Sequence, residues 1–141
     1  MSQERLTDRV VIVTGAASGI GRATAARLTA EGAKVLASDI SGDHLAESMR
    51  EANAGAAEGG ECITHVADIS DETDAAETIE AAIGAWGRLD GLANIAGMLK
   101  TVRTHECDLE TWNKIVGVNL TGTFLMCRAA LPHLMTSQGS I

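Results

Sequence analysis

The sequence of 141 residues contains no tyrosine, one proline and only three cysteines. The lack of tyrosine excludes every chemistry in which a phenol of this chain gives or takes a proton. The cysteines, Cys62, Cys107 and Cys127, are odd in number and far apart, which is typical of a reduced chain without a disulfide framework. Cys62 and Cys127 lie in apolar stretches, so we predict structural roles rather than nucleophiles.

Positive charge is also scarce, since 11 basic residues accompany 19 acidic ones and the net charge is −8. A negative field repels phosphate backbones, so we predict no nucleic acid binding. No apolar stretch is long and uninterrupted enough to cross a bilayer, and Met1 to Asp8 is polar without a signal-peptide core. We therefore predict no membrane association and a cytoplasmic location. The four histidines lack a carboxylate partner at helical spacing, so we predict no metal site.

The most informative segment that is present runs from Val10 to Gly21 and reads V-V-I-V-T-G-A-A-S-G-I-G. Its Val/Ile run is typical of a buried strand of a parallel sheet. Gly15, Gly19 and Gly21 follow, where the backbone must bend tightly, approach a pyrophosphate and let the next helix lie close to the strand. The helix predicted over Gly19 to Glu31 would aim its free N–H groups at that phosphate.

The spacing Gly-x-x-x-Gly-x-Gly differs from the general Gly-x-Gly-x-x-Gly fingerprint, so the turn alone leaves a purely structural role open. A second buried strand, Lys34 to Ile40, favours the functional interpretation because it ends in Asp39. An acidic side chain there can accept hydrogen bonds from the adenosine ribose and repel a 2′-phosphate, which favours NAD over NADP. The alternative for Asp39 is a helix cap before His44 to Arg50, a role that Ser41 could take instead.

Strand and helix signals alternate along the whole chain, which predicts an α/β fold with a doubly wound parallel sheet. Residues 1–141 are predicted to form one domain. The predicted strands are Arg9 to Thr14, Lys34 to Ser38, Cys62 to Val66 and Gly91 to Ile95, and the predicted helices are Gly19 to Glu31, His44 to Ala52, Asp71 to Trp86 and about Leu109 to Met135.

Four motifs in order resemble the short-chain dehydrogenase/reductase family. They are Thr14 to Gly21, Asp68 in A-D-I-S, Asn94-Ile95-Ala96-Gly97, and Val118-Asn119-Leu120. The resemblance implies a Rossmann fold that binds NAD and a helix asparagine, Asn119, in the catalytic apparatus. The cofactor-binding residues that it implies, together with the glycines and Asp39 above, are Gly15, Ser18, Gly19, Ile20, Gly21, Asp39, Ile40, Asp68, Ile69, Asn94, Ala96 and Gly97.

Ile95 departs from the family pattern, which has a second asparagine at that position, so local hydrogen bonding between sheet and helix is expected to be looser. Each further motif also has a plainer interpretation. Asp68 could cap the helix that begins near Asp71, Asn94 could be a strand-end turn residue, and Asn119 could be a partly buried residue bonded to backbone.

The family that the sequence resembles uses a tyrosine, a lysine four residues later and a serine to move the substrate proton. Of that group only Asn119 has a counterpart here, and the final residues Gln138 to Ile141 resemble the opening of the family's fifth strand. The resemblance therefore implies the first half of an oxidoreductase that transfers a hydride between nicotinamide and a secondary alcohol or ketone. The alternative is a dinucleotide-binding or interaction module without catalysis.

Two structural expectations follow from this partial match. The strand Gly91 to Ile95 should be central in strand order 3-2-1-4-5-6, so a chain ending at Ile141 should expose an unpaired apolar edge and tend to aggregate. The helix from Leu109 to Met135 carries more apolar surface than one sheet face requires. Family resemblance implies that this helix builds dimers or tetramers, and the alternative is a helix buried within one subunit.

Overall fold

The fold is taken from a computed structural model that describes residues 4–141, so the first three residues of the polar N-terminus lie outside it. Strands and helices alternate as predicted. In chain order they are β1 Val10–Thr14, α1 Gly19–Ala30, β2 Lys34–Asp39, α2 Gly42–Ala54, β3 Glu61–Val66, α3 Glu72–Trp86, β4 Gly91–Ala93, α4 Leu109–Val116 and α5 Thr123–Ser137. A short 3-10 turn, Thr104–Glu106, precedes α4, and a π-helical segment, Gly117–Gly122, joins α4 to α5.

The four strands form one parallel sheet in the order β3-β2-β1-β4. Val10 is paired with Lys34 across β1 and β2, and Lys34 with Glu61 across β2 and β3. Every carboxyl end therefore lies at one edge of the sheet, which we call the carboxyl edge, and every amino end lies at the opposite amino edge. The predicted doubly wound parallel sheet is confirmed.

Side-chain alternation along β1 and β2 divides the apolar core into two layers, one on each face of the sheet. Ile12 and Leu36 pack with Ile79 of α3 and Met126 of α5. On the opposite face, the core cluster includes Val13, Val35 and Ala37 of the strands, Ala25 of α1, and Leu45 and Ala52 of α2. Each layer is nearly dry, because these residues are at most 1% exposed.

Buried acids at the amino edge are paired with arginines. Asp90 accepts hydrogen bonds from Arg9, Arg88 and the Val10 N–H, at 2.6 to 3.1 Å. Burial by itself raises the pKa of Asp90, but these donors outweigh it and the net shift is downward. Glu31 binds Arg5 at 2.6 Å and also Arg27, and their hydrogen bonds lower its pKa to about 2.

Strand β4 lies at the edge of the sheet, as expected for a chain that ends near the start of a fifth strand. It is shorter than predicted, since it ends at Ala93 rather than Ile95. The outer side of β4 is partly covered, because the Leu92 N–H donates to Ser140 O at 3.1 Å and Ser140 N donates to Asp90 O at 3.0 Å. One parallel bridge, Gly91 to Ser140, therefore replaces the fully open edge that we expected.

The predicted helix from Leu109 to Met135 is continuous in helical backbone but changes type at Gly117–Gly122, where i to i+5 bonding widens one turn. Counted as one segment, Leu109–Ser137 has 29 residues and a mean hydropathy of 1.3 in its most apolar window. By length and composition it is sufficient to cross a membrane, contrary to the sequence prediction. A mostly buried core helix of a water-soluble protein meets the same criterion, but only 22% of this window is buried. The buried residues of α5 are Leu125, Met126, Ala130 and Leu134.

Candidate functional site

A concave site lies at the carboxyl edge, between the ends of the strands and the α4 side of the molecule. Its volume is about 460 Å³, within the range of small-molecule sites. Every strand end contributes to its walls, as the topology of an open parallel sheet requires. The lining residues are Gly15, Ser38, Asp39, Ile40, Ala67, Asp68, Ile69, Ser70, Ala96, Gly97, Met98, Asn113, Lys114, Gly117 and Val118.

The turn between β1 and α1 leaves main-chain donors free. Ser18 is the N-cap of α1, but its side chain caps no N–H group. In contrast, Asp71 caps α3 through the N–H groups of Thr73 and Asp74. The first amides of α1 therefore face outward with the positive end of the helix dipole, in a part of the turn where Ser18 and Ile20 are exposed.

The three glycines of this turn have different roles. A Cβ on Gly21 would lie 2.1 Å from the Gly15 carbonyl oxygen, so only glycine lets α1 begin that close to the strand end. A Cβ on Gly15 would lie 2.8 Å from the backbone of Ala96, where the loop after β4 passes. Gly19 has φ +53° and open space beyond it, which is the geometry needed where a ligand approaches main chain.

Asp39 joins this turn to the loop after β2. Its Oδ2 accepts the Ala17 N–H at 3.1 Å and its Oδ1 accepts the Ser41 N–H at 3.0 Å. Each carboxylate oxygen retains further acceptor capacity, and the residue lines the cleft. Ser41 is the N-cap of α2 but makes no capping bond with its side chain, which contacts His44 Nδ1 instead.

Asp68, at the end of β3, also lines the cleft. Its Oδ1 accepts the N–H of Ser70 at 3.0 Å and the Ser70 hydroxyl at 2.6 Å, which closes a local turn. The cap of α3 is provided by Asp71 rather than by Asp68. Asp74 holds the other side of this turn, because its carboxylate accepts the Asp68 N–H at 2.8 Å.

The end of β4 is held by a buried hydroxyl that the sequence interpretation did not single out. Thr14 Oγ1 accepts the N–H groups of Ile95 and Ala96, both at 3.1 Å, and Thr14 is fully buried. The loop expected to loosen at Ile95 is thus bonded through main chain. Asn94 faces α5, where its Nδ2 donates to Cys127 Sγ at 3.3 Å.

Asn119 lies in the π-helical segment and is bonded to the loop after β4. Its Oδ1 accepts the Met98 N–H at 3.0 Å, and its Nδ2 donates to Met98 O at 2.8 Å. Gly97 makes this approach possible, because a Cβ there would lie 2.8 Å from the Asn119 oxygen. The side-chain amide therefore connects the widened helix turn to the wall of the cleft.

The structure brings seven of the predicted residues together as cleft lining: Gly15, Asp39, Ile40, Asp68, Ile69, Ala96 and Gly97. Ser18, Gly19, Ile20 and Gly21 form the adjacent turn, whereas Asn94 and Asn119 contact α5 and Met98. Sequence reasoning missed the helix side of the cleft, at Asn113, Lys114, Gly117 and Val118. The position of Asn113 and Lys114 six and five residues before Asn119 was the available signal, because so short a helical segment keeps them near the same edge.

The part of the cleft lining that the structure describes includes no cysteine or histidine. Cys62 is buried beside β2, and burial raises the pKa of its thiol to about 11. Within residues 4–141, no cluster of three or more possible ligands is placed to hold a metal ion. The charged residues lining the cleft are Asp39, Asp68 and Lys114.

Comparisons with known proteins agree on one family. A family model described as short chain dehydrogenase matches residues 9–141. Levodione reductase of Leifsonia aquatica is 42% identical over 137 residues, which are 96% of this chain and 51% of that protein. The 2,5-dichloro-2,5-cyclohexadiene-1,4-diol dehydrogenase LinX of Sphingobium indicum is 38% identical over 138 residues, 97% of this chain and 54% of that protein.

Solved structures give the same result. A short-chain type dehydrogenase/reductase from Mycobacterium ulcerans superposes with a TM-score of 0.91 at 32% identity, covering 96% of this chain and 50% of that one. The crystal structure of levodione reductase superposes with a TM-score of 0.89 at 37% identity, covering 97% and 53%. The chain spans about half the length of the curated relatives that it matches.

Proposed function

The chain belongs to the short-chain dehydrogenase family, and on this premise we propose that it is the NAD-binding half of an oxidoreductase acting on a secondary alcohol or carbonyl compound. Family members bind nicotinamide dinucleotides, and the relatives are named as a reductase and as a diol dehydrogenase. When bound, the nicotinamide supplies or accepts the hydride. The residues of this chain bind and orient that group.

One observation carries the proposal: the uncapped start of α1 opens toward the same edge as Asp39. The free amides after Ser18 and the open face of Gly19 fit a diphosphate, which needs donors and close main-chain approach but no cation. Asp39, Ile40, Asp68 and Ile69 form the adjoining wall and fit an adenosine, with carboxylates for the ribose and apolar surface for the base.

The choice of NAD over NADP rests on Asp39. Its carboxylate is fixed by the Ala17 and Ser41 amides, so a 2′-phosphate placed on the ribose would meet a negative charge that cannot turn away. Arg22, the first residue after the glycine turn, is engaged by Glu51 at 2.6 Å and Glu47 at 3.6 Å. We therefore expect Arg22 not to compensate for the charge of a 2′-phosphate.

A titration with NADH and NADPH, followed by nicotinamide fluorescence, tests the proposal. We expect NADH to bind at least about tenfold more tightly than NADPH, a ratio that corresponds to about 1.4 kcal/mol. In Asp39→Ser, the preference should shrink or reverse, whereas Asp43→Ser, an acid of α2 that does not line the cleft, should keep it. Equal affinities in the unmodified chain would overturn the assignment of NAD, and no binding of either would overturn the dinucleotide site.

For this polypeptide alone, the absence of tyrosine supports the second candidate, binding without catalysis. A hydroxyl proton must leave when a hydride leaves carbon, and the group that would take it is missing. Asn119, beside Gly117 and Val118 of the cleft wall, is the one residue of the expected proton path, and Met98 fixes its position. We expect NADH binding but no turnover from the 141-residue chain, and turnover would contradict this second candidate.

We also propose that α4 and α5 form a homo-oligomer contact. Several large apolar side chains on this segment are 44% to 76% exposed: Leu109, Trp112, Leu120, Phe124, Leu131 and Met135. A patch of this kind on a described surface is typical of a protein interface. Light scattering should give a mass above 14.6 kDa that falls in Phe124→Asp, and a monomer at high concentration would contradict the proposal.

A further inference from the structure

Helix α2 reaches the glycine turn through one buried hydroxyl, that of Ser48. Ser48 is 3% exposed, and its Oγ lies 3.3 Å from Ala17 O and 3.1 Å from His44 O. The second contact is the ordinary back-bond of a serine within its own helix. The first is not explained by helix formation, because it crosses from α2 to the turn that precedes α1.

The contact between Ser48 and the Ala17 carbonyl also affects the Ser18 N–H, because both belong to one peptide unit. A trans peptide is planar, so the Ala17 C=O and the Ser18 N–H point in opposite directions. When Ser48 holds the carbonyl toward α2, the Ser18 N–H is turned toward the open side of the turn. Ser18 N–H has no hydrogen-bond partner within residues 4–141, and Gly19, the next residue, has open space above it.

The neighbouring peptide unit is held in the same way from β2. The Ala16 N–H donates to Ser38 O at 3.1 Å, and the Ala17 N–H donates to Asp39 Oδ2 at 3.1 Å. The methyl groups of Ala16 and Ala17 are buried in the core cluster that contains Leu45. Ala17 is thus fixed by its side chain, its N–H and its C=O, and Ser48 supplies the last of these.

We propose that Ser48 is a positioning residue for the diphosphate, acting through the Ala17 carbonyl to orient the Ser18 amide. The inference rests on the dinucleotide-binding function proposed above and extends it to α2, which lines no part of the cleft. Asp39 is unsuitable for a test because it faces the ribose as well. Ser48 does not line the cleft, so any effect on affinity must be indirect.

The test compares ADP, which carries the diphosphate, with adenosine, which lacks it. In Ser48→Ala we expect ADP affinity to fall about threefold to tenfold, the scale of one neutral hydrogen bond, while adenosine affinity stays unchanged. Thr29→Val is the matched control, because Thr29 is a fully buried helix hydroxyl that donates to Ala25 O at 2.8 Å in α1 and does not line the cleft. The control should lose stability and leave both affinities intact.

A second readout needs no ligand. The turn amides of Ser18 and Gly19 should change NMR shift in Ser48→Ala and not in Thr29→Val. If Ser48→Ala does not fold, Ser48→Cys replaces it, since a thiol is a weak donor of similar size.

Equal ADP affinity in Ser48→Ala and the unmodified chain would overturn the inference and leave the proposed function intact. A parallel loss for ADP and adenosine would also overturn it, because a general loosening of α2 affects both ligands. No ADP binding by the unmodified chain would overturn the proposed function and the inference together.

Discussion

The two edges of the sheet differ in whether their buried or clustered acidic side chains are paired with arginines. At the amino edge, the side chains of Asp90 and Glu31 are 4% and 8% exposed, and each is bonded by two arginines. At the carboxyl edge, Asp39 and Asp68 accept main-chain N–H groups and have no arginine partner among residues 4–141. Of the helices that start there, α1 and α2 have no side-chain cap, whereas Asp71 caps α3.

Because of this difference, we expect the amino edge of this 141-residue chain to serve stability and the carboxyl edge to serve binding. Groups at the amino edge already have their partners, so a ligand could gain little there. Groups at the carboxyl edge retain free amides and acceptor capacity, which cost stability in the empty chain and favour a polar ligand. Changes at the amino edge should therefore affect folding alone, whereas changes at the carboxyl edge should affect folding and binding together.

The largest effect is expected from Gly21→Ala, at the carboxyl edge. The new Cβ would lie 2.1 Å from Gly15 O, a main-chain atom that cannot rotate away. We expect a loss of about 3 kcal/mol or more in the free energy of unfolding, together with the loss of NADH binding. Urea denaturation and NADH fluorescence measure the two quantities.

The matched control is Gly84→Ala in α3, where a Cβ meets no atom within 4 Å. It should gain about 0.5 to 1 kcal/mol, because alanine is the better helix former. Normal NADH binding in Gly21→Ala would show that the turn tolerates a displaced helix. It would contradict the requirement for glycine at position 21.

At the amino edge, Asp90→Asn should cost about 2 to 3 kcal/mol, because three donors lose a charged acceptor. The cost stays below that of a fully buried pair, since the Arg9 and Arg88 side chains are 53% and 47% exposed and water can solvate them. NADH affinity should be unchanged. A parallel loss of affinity would contradict the separation of the two edges.

At the carboxyl edge, Thr14→Val removes the oxygen that accepts the Ile95 and Ala96 amides. We expect a loss of about 1 to 2 kcal/mol in stability, because buried donors are left unpaired. NADH affinity should also fall, since Ala96 and Gly97 line the cleft. Thr78→Val, which loses a buried helix hydroxyl bonded to Asp74 O, should change stability only.

The smallest effect concerns acid and Glu31. Arg5 and Arg27 lower the pKa of Glu31 from its ordinary 4.5 to about 2, so the folded state binds its proton less readily than the unfolded chain. This contribution to stability is present at neutral pH and is lost as the pH falls from about 4.5 toward 2. Urea midpoints between pH 7 and pH 3 should fall less steeply in Glu31→Gln, and identical slopes would contradict the pairing.

The sequence predicted most of the fold because the signals were local. Val/Ile runs, glycine turns and apolar helix faces gave the four strands and helices α1 to α3, and alternation gave the parallel sheet, in agreement with the structure. The single helix expected from Leu109 to Met135 is divided into α4 and α5. The π-helical turn at Gly117–Gly122 was not predictable from periodicity. Asn119 in this turn bonds Met98, 21 residues away, a contact that no local pattern indicates.

The candidate site was predictable where a motif marks it and not elsewhere. The glycines, Asp39 and Asp68 follow strands, so sequence position alone places them at one edge. Asn113 and Lys114 reach the cleft only because α4 packs across that edge. The hydrogen bonds of the Thr14 hydroxyl could not be predicted, because a threonine at the end of a strand gives the same pattern whether its hydroxyl is free or bonded to the next loop.

By itself, the sequence determined the alternation of strands and helices, the reduced cysteines and the glycine turn, since each depends on residues close together along the chain. Tertiary structure alone decided which polar groups would be satisfied. Arg9 reaches Asp90, Ser48 reaches the Ala17 carbonyl and Asn119 reaches Met98 only when distant segments meet. Hydrogen bonds act over about 3 Å and require orientation, and that geometry exists only after the chain has packed.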